Sequence, residues 1–340
     1  MEHFIKYVDI HNFKSIKDLR LDDCRRINIF LGYPNVGKSN VLEALSLFSV
    51  PFLEKDENLN KLVRFENKNE LFYNSSSEFC GIETNIEKVE FSISSTPFKM
   101  YRNLGFATVD YVFSKELNLL NRIIDCPNCE EEYYTDGGNI KRYTFQTHNK
   151  WKSNGDSQLF PPFGENMIDV LSYNNDVSEV KAWMKERFKQ FGLEYILDKS
   201  TNSLKVLKRL EGDEAFSLPY SSIADTLQRL IFYKTAIESN KNSVLLFEEP
   251  EAHAFPPYIS LFNQSVIDAT SNQFFIVTHS PFVINDFLEY EHLRRETSIY
   301  LFDYNDNQTT AKRLTDEEID LVYEYGMDLF FNIETFLREE

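Results

Sequence analysis

The chain has 340 residues, of which 42% are apolar and 26% are charged, a balance typical of folded globular proteins. At about 150 residues per domain, this length predicts about two domains, or one large domain with insertions. The 54 acidic side chains outnumber the 36 basic ones, and the net charge of −18 opposes a broad, nonspecific hold on nucleic acid. The sequence has neither a membrane-length apolar run nor a secretion-signal pattern at its start, so we expect a cytoplasmic protein.

The first part of the chain predicts strands followed by a helix. Residues 5–13, 17–23 and 26–32 alternate apolar and polar side chains, which is typical of β-strands. From Ser39 the apolar residues recur at helical spacing, and we expect this helix to end at Pro51. The region that follows mixes short alternating segments with turn residues, which predicts a mostly β insertion.

The second part of the chain predicts helices and buried strands. Residues 177–191 indicate an amphipathic helix with a basic face. Its predicted apolar stripe consists of Val180, Trp183, Met184, Phe188 and Phe191. Further elements are predicted in chain order as strands at 193–198 and 203–210, a helix at 222–239, buried strands at 243–247 and 273–278, and finally a strand pair and an acidic helix.

A glycine-rich segment lies between the third predicted strand and the first predicted helix. It matches the phosphate-loop pattern G-x-x-x-x-G-K-[ST], in which backbone N–H groups and the helix start surround phosphate oxygens. Lys38 is expected to reach the β- and γ-phosphates and Ser39 to bind Mg²⁺. The pattern therefore predicts ATP and Mg²⁺ as ligands, with the binding residues Gly32, Asn35, Val36, Gly37, Lys38, Ser39 and Asn40.

An acidic sequence follows the buried strand at 243–247. Glu248 and Glu249 come directly after its last apolar residue. In a phosphate-loop enzyme one such carboxylate orients Mg²⁺ and the next polarises the attacking water, roles that we assign to Glu248 and Glu249 respectively. A solvated acidic turn is the alternative interpretation.

A histidine follows the next buried strand. His279 lies in the sequence Thr-His-Ser-Pro, 30 residues after Glu249. At a strand end beside a nucleotide, an imidazole N–H can donate to a γ-phosphate oxygen. We therefore include His279 among the catalytic residues with Glu249 and Lys38, although an isolated histidine is more often structural.

These motifs, in this order, resemble the ABC-type ATPases of the SMC, RecF and OLD group, and most of all the stand-alone OLD-like ATPases of bacterial defence systems. The resemblance implies an α/β fold: a P-loop NTPase, with an ABC-type head, an antiparallel β subdomain and an inserted β-rich and helical lobe. The expected parts are an N-terminal head segment at 1–52, a β-rich lobe at 53–165, a helical and strand subdomain at 166–214, and a C-terminal head segment at 215–340.

The resemblance also implies additional nucleotide contacts and an oligomer. Lys14 and Ser15 correspond to residues close to the nucleotide in that group. Its heads form dimers around ATP, and each head supplies a signature segment to the other head's nucleotide. Residues 219–229 occupy the signature position, where Ser222 and Asp225 are candidate contacts across a homodimer or higher oligomer. The same residues are equally compatible with a capped helix start.

The chain departs from the family pattern in three places. The first glutamine is Gln146, so the usual early Mg²⁺-sensing glutamine is missing. Two alternatives are open: Asn69 or Asn74 substitutes for it, or the contact is absent. Phe255 replaces a second histidine, which predicts a packed rather than hydrogen-bonded loop. Only 61 residues follow His279, fewer than a TOPRIM nuclease domain needs, so we expect that domain to be absent.

Two clusters have open interpretations. Cys126 and Cys129 form a C-x-x-C pair, which is half of a zinc site. Three interpretations are open: an inert hairpin, redox chemistry, and zinc that is either shared between two chains or completed by Cys24 and Cys80 within one chain. Residues 141–152 interleave basic and aromatic side chains and suit nucleic acid, but the overall negative charge favours a solvated surface.

We therefore expect an ATPase whose nucleotide state controls dimerisation. The first hypothesis is a sensor or regulator in a bacterial antiphage defence system that acts with a separately encoded effector protein. The alternative is a RecF- or SMC-like ATPase of DNA repair or maintenance that clamps DNA. A transporter ATPase is disfavoured because the LSGGQ signature is missing.

Overall fold

The computed structural model describes residues 3–76, 78–126, 138–147, 151–153, 155–211 and 214–338. The chain divides into two compact units. The first unit combines residues 1–142, 242–249 and 273–340, and the second combines residues 143–241 and 250–272.

The strands are β1 (Val8–Phe13), β2 (Ile16–Leu21), β3 (Ile27–Gly32), β4 (Phe79–Thr84), β5 (Lys88–Ser92), β6 (Phe98–Asn103), β7 (Thr108–Phe113), β8 (Leu119–Asp125), β9 (Ile140–Tyr143), β10 (Glu194–Asp198), β11 (Ser203–Arg209), β12 (Ala215–Pro219), β13 (Val244–Glu248), β14 (Gln273–Val277), β15 (Thr297–Asn305) and β16 (Gln308–Arg313). The helices are α1 (Lys38–Ser46), α2 (Met167–Tyr173), α3 (Ser178–Gln190), α4 (Asp225–Ser239), α5 (Pro256–Asp268), α6 (Pro281–Leu288), α7 (Glu291–Glu296), α8 (Asp316–Glu324) and α9 (Leu329–Arg338).

The site is built on a six-stranded sheet of order β16-β15-β3-β14-β13-β9. The strands β15, β3, β14 and β13 run parallel, and β16 returns antiparallel to β15. β3 and β14 are buried along their whole length, which explains their continuous apolar sequences. Because the carboxyl ends of parallel strands meet at one edge, the segments after β3, β13 and β14 lie together.

A seven-stranded antiparallel sheet forms the rest of the β structure of the first unit, in the order β2-β1-β4-β5-β6-β7-β8. Its interior contains edge-to-face aromatic pairs, including Phe72 with Phe91 and Phe91 with Phe98. The predicted α/β fold with an antiparallel β subdomain is therefore confirmed.

The second unit contains helices α2 to α5 and a three-stranded sheet of order β10-β11-β12. Both strands predicted at 193–210 are present, but β12 was not predicted, since its side chains are mostly exposed and show no buried stripe. In the part of the chain that the structure describes, no helix is long and apolar enough to cross a membrane.

Two predicted helices differ in detail from the structure. α1 ends at Ser46 and continues as a 3₁₀ turn over Leu47–Phe52 that contains Pro51. α3 buries Val180, Met184 and Phe188, but Phe191 is 57% exposed. The prediction that Phe191 belongs to the buried stripe is wrong, because the helix ends at Gln190 and the next residue leaves the helical register.

Candidate nucleotide-binding site

The phosphate loop connects β3 directly to α1. Gly37 precedes the helix with φ of 99°, a left-handed conformation that favours glycine. A Cβ atom there would lie 2.0 Å from Thr309 Oγ1 and 2.8 Å from Ser15 Oγ. The backbone therefore approaches its neighbours more closely than any side chain would allow, and the start of α1 stays open towards the cleft beside it.

Lys38 folds back over this loop. Its Nζ atom donates to the carbonyl oxygens of Gly32 and Tyr33, each at 2.8 Å. Burial lowers the pKa of Lys38 to about 8, although the nearby Glu249 carboxylate opposes this shift. The ammonium group of Lys38 thus lies at the centre of the loop, where loop carbonyls accept its hydrogen bonds.

Glu248 ends β13 beside the start of α1. It accepts a hydrogen bond from the Ser39 side chain, and its two carboxylate oxygens pair with Arg64 at 3.2 Å and Arg142 at 2.6 Å. Burial alone would raise the pKa of Glu248, but Arg142, the Ser39 hydroxyl and Arg64 outweigh it, so the pKa lies below its ordinary value. Glu248 is therefore ionised and fixed next to Ser39.

Glu249 and His279 come from neighbouring strand ends. Glu249 has φ of 44°, and its backbone N–H donates to the Val277 carbonyl at 2.9 Å. Its Oε1 atom lies 3.5 Å from His279 Nε2. Burial and the charge of Lys38 lower the pKa of His279, so the imidazole is neutral at pH 7. The structure thus brings together the two residues predicted to flank the attacked phosphate.

A cleft of about 480 Å³ runs between the loop and these strand ends. Its lining is polar and consists of Pro34, Asn35, Gly37, Lys38, Ser39, Asn40, Arg64, Glu249 and His279. The fit to a nucleotide is good, since Gly37 and the first residues of α1 line the cleft, where the N–H groups of a helix start favour phosphate. The hydroxyl of Ser39 and the carboxylate of Glu248 are the hard oxygen ligands that Mg²⁺ prefers.

Lys14 and Ser15 support the loop from behind. Ser15 Oγ accepts from Asn40 Nδ2 at 2.6 Å and shares a hydrogen bond of 2.7 Å with Thr309 Oγ1. Lys14 pairs with Glu43, a carboxylate that is fully buried in α1, and burial lowers the pKa of Lys14. Among the described residues that line the cleft, neither Lys14 nor Ser15 is present. Val36 is buried as well, and its side chain packs near Gly32.

Arg64 and Arg142 contact the site but were not among the predicted site residues. Arg64 lines the cleft, whereas Asn69 and Asn74 are not among its described lining residues. Arg142 was expected on a solvated basic and aromatic surface, and that expectation is wrong for β9. Lys141, Arg142 and Tyr143 are at most 6% exposed because β9 inserts beside β13 in the central sheet. Residues 148–150 of the same stretch lie outside the described part of the chain.

The signature-like segment belongs to the second unit. Its helix α4 has Ala224 as N-cap residue without a side-chain cap, so the capped-start interpretation is wrong. Asp225 instead pairs with Arg229 at 2.7 Å, and Thr226 donates to the His253 carbonyl at 2.8 Å. Ser222 is exposed in a short 3₁₀ turn. The Asp225 and Thr226 side chains are thus held by neighbours of their own unit.

Phe255 was expected in a packed loop, but its side chain is 64% exposed.

The cysteines do not assemble a metal centre in the described part of the chain. Cys80 is buried in β4, and burial raises the pKa of Cys24 to about 12. The thiol chemistry predicted for Cys126 and Cys129 lies partly outside the description, because Cys129 is not among the described residues. Across the described ranges, no group of three histidine, cysteine or acidic side chains could hold a metal ion.

Several known proteins are similar to this chain in sequence. Residues 130–285 match the family model described as "AAA domain, putative AbiEii toxin, Type IV TA system". An ATP/GTP phosphatase of Helicobacter pylori is 22% identical across 96% of this chain and 100% of that protein. A DNA replication and repair protein RecF of Caldanaerobacter subterraneus is 23% identical over 60% of this chain, which spans 61% of that relative.

Two solved structures share the fold. An SMC head bound to the C-winged helix domain of ScpA has a TM-score of 0.52 at 11% identity, covering 92% of this chain and 98% of that one. The Smc head of Pyrococcus furiosus with an extended coiled coil has a TM-score of 0.50 at 10% identity, covering 95% and 99% respectively. The chain thus has the fold of the SMC head domains, and its sequence is similar to RecF and to the ATP/GTP phosphatase.

Proposed function

We propose that this protein binds ATP with Mg²⁺, hydrolyses it, and uses the cycle as a dimerisation switch. The observation that supports this most directly is the convergence of Lys38, Ser39, Glu248, Glu249 and His279 at the edge of one parallel sheet. A phosphate-loop protein that only binds nucleotide has no need of the second carboxylate beside the histidine.

Each side chain has a defined task in this proposal. Lys38 would hold the β- and γ-phosphates in place of the carbonyls that it contacts here. Ser39 and Glu248 would hold Mg²⁺, which supplies charge neutralisation when bound. Glu249 would accept a proton from the attacking water, and neutral His279 would donate to a phosphate oxygen.

The exposure of the catalytic pair supports dimerisation. The Glu249 side chain is 50% exposed and that of His279 is 40% exposed, so water has free access to both. Phosphoryl transfer is faster where solvent is excluded, and a second copy that covers the cleft would provide that exclusion. Ser222 and Asp225 remain the candidate contacts across such a homodimer.

For the biological role we propose an antiphage sensor or regulator that acts with a separate effector protein. The OLD-like arrangement of motifs and the toxin–antitoxin description of the matching family favour this role. The net charge of −18 is also more compatible with a protein partner than with DNA. The RecF relatives support the alternative, a clamp that closes on duplex DNA.

Phosphate release from ATP tests the enzymatic proposal. The wild-type protein should release phosphate slowly in a Mg²⁺-dependent reaction, whereas Glu249→Gln should retain ATP binding and lose at least about 100-fold in rate. Glu317→Gln, an isosteric change at an exposed position of α8, is the matched control and should keep the wild-type rate. Equal rates for Glu249→Gln and the control would place the catalytic base elsewhere.

A further inference from the structure

Two arginines share the carboxylate of Glu248, one at each oxygen. Arg64 Nη2 lies 3.2 Å from Oε1, and Arg142 Nη2 lies 2.6 Å from Oε2. Two positive charges thus face one negative charge at the position where Mg²⁺ is expected.

The two arginines differ in how firmly they are held. Arg142 is 6% exposed, and its second terminal nitrogen donates to the Leu62 carbonyl at 2.6 Å. The Arg64 side chain is 65% exposed and lines the cleft. Its Nε atom donates to Glu43, which also pairs with Lys14. Arg64 can therefore release Glu248 while it keeps its hydrogen bond to Glu43. The Glu43 carboxylate stays paired with Lys14 as well.

We propose that Arg142 is a positioning residue that fixes Glu248 for the metal, and that Arg64 is a placeholder cation that yields Oε1 to Mg²⁺. This inference rests on the proposed function, since it assigns Glu248 to the metal. Arg142 is buried and donates one hydrogen bond to the Leu62 carbonyl and one to Glu248, so both terminal nitrogens of its guanidinium are held.

The charge of Mg²⁺ explains why Arg64 and Arg142 have different roles at Glu248. Mg²⁺ requires near-octahedral oxygen coordination and binds through one or two carboxylates, so one oxygen of Glu248 must be available. A divalent cation beside Arg64 repels its guanidinium, and the exposed terminal nitrogens can turn into solvent at small cost while Nε keeps its bond to Glu43. Arg142 keeps the other oxygen, as partners of ligating carboxylates commonly do.

The test is the Mg²⁺ dependence of nucleotide binding, measured by calorimetry with ATP at increasing Mg²⁺ concentration. Arg64→Met should lower the Mg²⁺ concentration for half-maximal effect by about threefold to fivefold, since an exposed ion pair no longer competes. Arg142→Met should raise it by about tenfold or more, since the carboxylate loses its orientation.

The two variants should shift the Mg²⁺ requirement in opposite directions, which separates this proposal from simpler ones. If both variants tighten Mg²⁺ binding, each arginine is merely a repelling charge and the positioning role of Arg142 is wrong. If both weaken it, Arg64 is not a placeholder. If Arg64→Met instead weakens ATP binding equally with and without Mg²⁺, Arg64 is a phosphate ligand and the proposal is overturned.

A conservative variant at Arg142 keeps the proposal testable if Arg142→Met does not fold. Arg142→Lys keeps the charge but cannot bond both Leu62 and Glu248, so it should show an intermediate loss of Mg²⁺ dependence with a near-native melting temperature. Full retention of the wild-type Mg²⁺ dependence by Arg142→Lys would contradict the positioning role. Failure of the wild-type protein to bind ATP at all would instead refute the proposed function, so the two failures are distinguishable.

Discussion

Gly37 of the phosphate loop packs against Thr309 of β16, so residues from opposite ends of the chain form one contact. The position of a Cβ atom on Gly37 is 2.0 Å from Thr309 Oγ1. Thr309 is itself fixed by Ser15, through its hydroxyl at 2.7 Å and its backbone N–H at 2.9 Å. The hairpin of β15 and β16 is thus part of the structural support of the nucleotide cradle.

Gly37→Ala should abolish measurable nucleotide binding and destabilise the fold. The left-handed φ alone costs about 1–2 kcal/mol for a residue with a Cβ, and the collision with Thr309 adds to that. Gly105→Ala is the matched control, since Gly105 has φ of 82° but open space around it. In denaturant titrations Gly37→Ala should lose more free energy of unfolding than Gly105→Ala, and the difference is the cost of the collision with Thr309. Equal losses of free energy would mean that Thr309 moves aside freely.

Nucleotide affinity should fall as pH rises through about 8. The pKa of Lys38 is lowered from 10.5 to about 8 by burial, so the folded protein loses this proton before the unfolded chain does. Above pH 8 binding must first restore the charge, which costs about tenfold in affinity per pH unit. The same shift makes folding stability rise with pH between 8 and 10.5. Binding measured from pH 7 to 9.5 checks this, and Lys38→Arg should give a flat profile over that range.

Gln228→Ala should weaken ATP-dependent dimerisation without changing ATP binding by the monomer. The amide of Gln228 donates to the Ile223 carbonyl at 2.8 Å and fixes the signature-like segment to α4. Losing one such hydrogen bond corresponds to about fivefold in the dimer dissociation constant. Gln264→Ala, at an exposed site on α5, should leave both quantities unchanged. Parallel sedimentation and ATP titrations separate the two effects, and a change in monomer ATP affinity would contradict this role.

Arg102→Met should destabilise the protein without changing nucleotide affinity. Arg102 and Glu87 form a buried ion pair at 2.5 Å within the seven-stranded sheet, and removing one partner of such a pair costs about 3–5 kcal/mol. Lys115→Met, at an exposed turn position, is the charge-matched control. Chemical denaturation measures the loss, and equal stability of the two variants would show that the pair is compensated elsewhere.

The local chemistry of the site could be predicted from sequence. Glycine spacing, a strand before the loop and a helix after it indicate a phosphate cradle, and carboxylates at a buried strand end indicate the metal side. Each of these signals lies within a few residues of the side chain that it predicts, and the structure brings Lys38, Ser39, Glu248 and Glu249 to the same edge of one sheet.

The long-range partners could not be predicted. Arg64 and Arg142 lie 184 and 106 residues from Glu248, and nothing in their local sequence indicates an ion pair with that carboxylate. The polar residues Lys141 and Arg142 of β9 suggest a surface strand. They are buried because β9 lies beside β13 in the six-stranded sheet, which is a tertiary contact. Thr309 was missed for the same reason, since its contact with Gly37 exists only after the sheet has formed.

The mass in solution of Glu249→Gln, with and without ATP and Mg²⁺ and repeated with short duplex DNA, tests the central claim most directly. We predict a monomer without nucleotide and a dimer with ATP and Mg²⁺ that forms regardless of DNA. A dimer that incorporates DNA would favour the RecF-like alternative. A mass that is the same with and without ATP, in a variant that still binds ATP, would contradict the dimerisation switch.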